Sequence, residues 1–261
     1  ARTMETDDQL SPLSQDFLKR RPKNLRSEIG QFLTPKVLRD RLVSQVQLSA
    51  GMKILDPGVG TGEFLKSCLE QEPNLQLVPN AVLKQQSALD QELSASFDIV
   101  IGNPPYFEMR NLEERYKSKF KDVLSGRPNI FSLFFSVGLG MLKEGGVLGY
   151  VVPPSMNNGA YFSKLRSFIE QNSAIEFFEV YNDNNLFKDA QTAVQLIVLR
   201  KGSRSAKFTV DIGAFSGGQK SRVVFSADTE ALKNEFHGRT TLWKLGYEAV
   251  TGSVVWNQNK K

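Results

Sequence analysis

The 261-residue chain contains one cysteine, Cys68, and one histidine, His237. A single thiol can close no internal disulfide and build no cysteine-based metal site, and a single imidazole excludes a multi-histidine centre, so no metal is expected. Cys68 stands between Leu65 and Leu69 in a helix-like stretch and reads as a small buried hydrophobe, whereas His237, in Glu235-Phe236-His237-Gly238, reads as a surface-loop residue. No apolar run approaches the roughly 20 residues that span a bilayer. The first residues, Ala1-Arg2-Thr3-Met4-Glu5-Thr6-Asp7-Asp8, hold no signal-peptide core, which makes the cytoplasm the expected compartment and leaves no role for a membrane. Two nucleotide signatures are missing as well: no Gly-Lys-Ser/Thr follows the glycine-rich turn described below, and that turn lacks the GxGxxG dinucleotide spacing.

What is present is ordinary for a globular protein, with 40% hydrophobic and 23% charged residues, and this excludes disordered and collagen-like classes. A net charge of +5 permits a polyanionic partner without diagnosing one. The basic residues gather in two places, Lys19-Arg20-Arg21-Pro22-Lys23-Asn24-Leu25-Arg26 and the group Arg200, Lys201, Arg204 and Lys207; each is equally readable as a solvated surface.

Two stretches carry chemistry. Phe97-Asp98-Ile99-Val100 is β-branched and aromatic and predicts a buried strand, so Ile101-Gly102-Asn103-Pro104-Pro105-Tyr106-Phe107 begins where that strand should end, the place where open α/β sheets bind ligands. Two adjacent prolines fix two φ angles and remove two donors, leaving carbonyls free to accept; Asn103 adds an acceptor and Tyr106 a flat face. Upstream, Met52 to Leu65 reads as strand, glycine-rich turn and helix start, with Asp56 ending the strand and Gly58, Gly60 and Gly62 allowing close backbone approach to a ligand. Thr34 and Pro35 predict the N-cap and first residue of a helix running to Ser49. Further strands are expected at Leu75–Val78, Val147–Val152, Ala174–Val180 and Thr192–Leu199. Helices are expected at Ile130–Lys143, closed by Glu144-Gly145-Gly146, and at Phe162–Gln171. The alternation predicts one doubly wound α/β domain over residues 29–201, preceded by an N-terminal arm at 1–28 and followed at 202–261 by a linker and the opening of a second unit.

Taken together, Gln31-Phe32-Leu33-Thr34-Pro35, the run from Asp56 to Phe64, Asn103-Pro104-Pro105-Tyr106 and Leu186-Phe187-Lys188-Asp189-Ala190 resemble the gamma class of DNA adenine-N6 methyltransferases. These are modification enzymes of restriction-modification systems, and the resemblance covers roughly residues 28 to 201 in the family's linear order. It implies a Rossmann-like S-adenosylmethionine-dependent sheet and S-adenosylmethionine as cofactor. It implies double-stranded DNA as partner, with a restriction endonuclease or specificity subunit as a further candidate. Residues matching Phe32, Thr34 and Pro35 fold over the cofactor's methionine moiety in that family; Asp56, Gly58, Gly60 and Gly62 match its amino-acid end, and Pro57 and Phe64 join the same cofactor-binding set. Asn103 closes the methyl side and shares catalysis with Pro104 and Tyr106, while Phe187 and Tyr106 sandwich the flipped adenine.

This chain departs from the family in three places. Gln76 falls where an acidic residue usually holds the cofactor ribose, Ser87 falls where an Asp usually meets its adenine, and the stretch 80–98 is short. Residues 202–261 are expected to begin a target-recognition domain, with Leu245 to Gly252 as its opening. A protein glutamine-N5 methyltransferase shares Asn-Pro-Pro-Tyr, because an amide nitrogen poses the same electronic problem, and an inactive DNA-binding subunit is the rival outside enzymes.

Overall fold

In a computed structural model, the described residues are 33–58, 60–77, 88–90, 94–127, 129–157, 159–181, 193–202, 209–212 and 221–224. Phe32, Ser87, Phe187 and His237 lie outside them, as does all of the second compact unit at 228–261.

The elements of the first unit are α1 (Lys36–Val43), β1 (Lys53–Leu55), α2 (Glu63–Gln71), β2 (Gln76–Leu77), β3 (Phe97–Gly102), α3 (Glu114–Lys119) and α4 (Ile130–Met141). They continue as β4 (Leu142–Val152), α5 (Ser163–Asn172), β5 (Ser173–Tyr181) and β6 (Val194–Lys201). Six strands form one sheet in the order β2-β1-β3-β4-β6-β5. The first four run parallel, and β6 lies antiparallel between β4 and β5. A separate antiparallel pair, β7 (Thr209–Ile212) and β8 (Ser221–Val224), follows.

The central strands explain the layering. In β3, Ile99 and Ile101 point into one apolar cluster with Leu38 and Leu42 of α1 and Phe64 and Cys68 of α2, while Val100 and Phe97 join Phe131 and Phe135 of α4 on the opposite face. A parallel strand covered on both sides is apolar through its middle, which is why Ile99, Val100 and Ile101 follow one another, while Asp98 near the start of β3 pairs with Lys143. Cys68 is fully buried, and burial pushes its thiol up to about 12.

Two boundaries differ from expectation. The helix expected to close at Glu144-Gly145-Gly146 ends at Met141, and β4 begins at once with Leu142, which is fully buried and pairs with Phe97. Pairing and burial of Leu142 win over helix continuation, and Gly145, at φ 75°, serves an irregular strand start instead of a helix cap. Likewise α1 stops at Val43, well short of Ser49.

Candidate active site

β1 and β3 are adjacent and parallel, with Leu55 level with Val100, so their carboxyl ends open onto one edge of the sheet. The chain leaves β1 toward β2 on one side and returns through β3 on the other, which makes this edge a topological switch point. Asp56 and Asn103 both emerge there.

The Asp56 side chain is 3% exposed and lies against Gly102, where a Cβ would come within 2.6 Å of Asp56 Oδ1. Only a glycine at 102 leaves room for this carboxylate. The Gly58 amide donates to Asp56 Oδ1 at 2.9 Å, but burial outweighs that bond and pushes the carboxyl up to about 7. Beyond Pro57, which is buried, the turn contains Gly60 at φ 48° and Gly62 at φ 79°, in the left-handed region that side chains resist. Gly62 is the N-cap of α2, so the helix's first amides face the turn. Phe64, by contrast, sends its ring into the core at 5% exposure.

Asn103 is held from two sides. Its Nδ2 donates to Thr34 Oγ1 at 2.9 Å, and the Tyr106 hydroxyl lies 2.5 Å from Asn103 Oδ1 and 2.6 Å from the Val151 carbonyl. One phenolic proton thus serves two acceptor oxygens. Burial raises the Tyr106 hydroxyl well above its ordinary value and keeps it a neutral donor. The ring meets Phe131 edge-on, with centroids 6.3 Å apart. Pro104 is buried beside Asn103. Thr34 does not cap α1: the N-cap is Pro35, without a side-chain bond, because the Thr34 hydroxyl is engaged by Asn103.

Gln76 is not brought to this edge. It is exposed and level with Lys53, three residues before Asp56 and about 10 Å back along the strand.

Sequence reasoning overlooked Arg39, which is 2% exposed. Its Nη1 donates to the Thr34 carbonyl at 2.6 Å, its Nε to Ser67 Oγ at 3.3 Å, and its Nη2 lies 3.2 Å from Glu63 Oε2 on the first residue of α2. A signal existed: Arg39 and Val43 share the buried face of α1 with Leu38 and Leu42, and a cation in an apolar stripe needs a buried acid. Glu63, directly after the glycine turn, is that acid. The result is a continuous polar path from α2 through Arg39 and Thr34 to Asn103 and Tyr106. Among the described residues no group of three or more His, Cys, Asp or Glu is arranged to hold a metal, and no helix is long and apolar enough to cross a membrane.

Residues 58–187 match the model of the Eco57I restriction-modification methylase family. The modification methylase CviBIII of Paramecium bursaria Chlorella virus NC1A is 26% identical over 223 residues, covering 77% of this chain and 58% of that protein, so the chain spans little more than half of this relative's length. Among solved structures, a protein from Listeria monocytogenes assigned to the class I S-adenosylmethionine-dependent methyltransferases superposes with a TM-score of 0.57 at 22% identity, over 79% of this chain and 70% of that one. The methyltransferase subunit of a type I restriction-modification system from Streptococcus thermophilus superposes with a TM-score of 0.59 at 18% identity, over 82% of this chain and 54% of that one. The sheet has the class I S-adenosylmethionine-dependent methyltransferase fold, and with the family match and the Asn-Pro-Pro-Tyr loop at its switch point the chain belongs to the restriction-modification methyltransferases.

Proposed function

We propose that the chain transfers a methyl group from S-adenosylmethionine to the exocyclic N6 of an adenine flipped out of double-stranded DNA, as the modification activity of a restriction-modification system. The observation that carries this reading is the placement of Asn103, followed by the donor-less Pro104 and Pro105, at the switch-point edge next to a buried carboxylate.

The residues of that edge fit the cofactor. Asp56 is a buried carboxyl with its proton affinity raised by desolvation, so a cationic amino group beside it would be held strongly; Gly60 and Gly62 permit close backbone approach at the N-terminus of α2. Thr34 and Pro35, with Phe32, would close over the methionine part. Bound there, the cofactor supplies an electrophilic methyl group.

The chain's own residues prepare the nucleophile. The adenine amine's lone pair is delocalised into the ring, and it attacks only as the nitrogen moves toward sp³ geometry. Asn103 Oδ1 and the Pro104 carbonyl can accept hydrogen bonds from its two N–H groups and stabilise that change, while a fixed approach supplies orientation; the nitrogen gains the methyl and releases one of its protons to water. The Tyr106 hydroxyl takes one of the two lone pairs of Asn103 Oδ1 and leaves the other for the amine, and the Tyr106 ring would stack on the base, with Phe187 as its proposed partner on the other face. Stacking offsets the few kcal/mol that unstacking the base costs. Residues 202–261 are proposed to begin a target-recognition domain that reads DNA sequence.

The direct test is Asn103→Ala. Tritiated-methyl transfer to DNA should disappear, while calorimetry shows S-adenosylmethionine still bound with little change. Retained turnover would remove Asn103 from the chemistry.

A further inference from the structure

Immediately after Tyr106 the chain makes an excursion, residues 108–127, whose stem is tied back to the catalytic loop. Glu108 bridges to Asn129, and the Ile130 amide donates to the Phe107 carbonyl at 3.0 Å. Between this excursion and the start of α5 lies a cleft of about 390 Å³. Its cations are Arg110, Lys117, Lys121 and Lys164, and no carboxylate lines it. Only Lys117 has an ion pair among the described residues, with Glu114 at 3.0 Å, and Glu114 is 85% exposed, so that pair neutralises little. Of the acids around it, Glu113 and Asp90 are taken by Arg115, and Asp122 faces an adjoining cavity that shares Lys121 and Lys164. Lys164 Nζ donates to the Lys121 carbonyl at 3.2 Å, which holds one ammonium group against the backbone of another lysine.

The apolar part is equally specific. Met109, Leu112 and Leu124 are half-buried on the core and form the floor. At the rim Tyr161 is 49% exposed, and its ring is seated on Gly126, where a Cβ would stand 2.1 Å from Tyr161 Cδ1. Ser125 Oγ donates to the Tyr161 carbonyl at 2.8 Å and fixes the same contact. A solvated helix face needs neither a cleft lined by four cations and no carboxylate nor an aromatic ring held in water by a glycine. A nucleic-acid strand uses both, phosphates on the cations and a sugar or base on the ring.

We propose that this cleft binds the backbone of the DNA strand that carries the flipped base, with phosphates on Arg110, Lys121 and Lys164 and a neighbouring nucleotide against Tyr161. The inference rests on the reading of the chain as a DNA methyltransferase, and it adds a docking surface outside the target-recognition region.

The test uses the complete polypeptide and a fluorescein-labelled duplex with one mismatched adenine, titrated by anisotropy between about 50 and 200 mM salt. For Lys121→Gln/Lys164→Gln the slope of log affinity against log salt should become shallower by about 2, with affinity down on the order of tenfold at the middle of the range. Tyr161→Ala should weaken binding without changing the slope. S-Adenosylmethionine affinity and the melting temperature should stay at the wild-type values in both, which shows that the variants are folded. Wild-type binding and methylation of DNA together with an unchanged slope in the lysine variant would overturn the cleft alone. Failure of the wild-type chain to bind DNA while it binds cofactor would overturn the DNA reading as well. Equal slope loss with polyglutamate as competitor-free probe would assign the cleft to acidic polypeptides and so overturn the proposal.

Discussion

Tyr106 carries one proton between two oxygens, Asn103 Oδ1 and the Val151 carbonyl, and this contact draws on one of the two lone pairs that Asn103 could offer a substrate amine. Tyr106→Phe keeps the ring and frees that lone pair. Binding of a duplex with a mismatched adenine should tighten, and stability should fall by about 1 to 3 kcal/mol because the Val151 carbonyl loses a buried donor. Anisotropy and urea denaturation measure the two effects; weaker DNA binding with unchanged stability would show that the hydroxyl assists substrate instead. The Asn-Pro-Pro-Tyr loop and its place at a strand end were legible in the sequence, because residue types and proline geometry are local. The Tyr106 hydroxyl's partner was not, since Val151 lies 45 residues away on another strand.

Among the elements, α1 and α2 are joined by the buried Arg39–Glu63 pair, with Arg39 2% and Glu63 7% exposed. Removing one member strands a charge, whereas removing both exchanges desolvated ions for apolar contact. Arg39→Met should therefore cost about 3 to 5 kcal/mol in chemical denaturation, and Arg39→Met/Glu63→Leu should recover most of it. Equal losses in the single and double variants would mean that the two charges are not coupled. The early end of α4 is an element-scale lesson of the same sort. Two glycines after an apolar helix look like a cap, yet the strand pairing of Leu142 with Phe97 decided the boundary, and pairing with a strand more than 40 residues upstream leaves no local trace.

For the whole molecule, Asp56 links stability to pH. Its folded value of about 7 lies above the ordinary carboxyl value, so between about pH 4 and 7 the folded chain holds a proton that the unfolded chain has released. Stability should fall as pH rises through that window, by an amount on the order of 4 kcal/mol in full, and Asp56→Asn should flatten the dependence. Urea denaturation at pH 5 and pH 8 checks this; an equal slope in the variant would place the titration elsewhere. A cationic ligand at Asp56 would favour the ionised form, so its binding should tighten across the same range.

The sequence by itself determined the kinds of local structure and their order: apolar runs that must be buried strands, glycines where the backbone turns with positive φ, and a proline-bound acceptor after a strand. These depend on sterics and hydrophobicity within a few residues. Only the tertiary structure decided which groups meet. The sheet order placed Thr34 on Asn103 across 69 residues, put Val151 under Tyr106, kept Gln76 at the far end of its strand, and buried Asp56 deeply enough to change its proton affinity. Desolvation and hydrogen-bond geometry belong to the packed arrangement, which no single segment specifies.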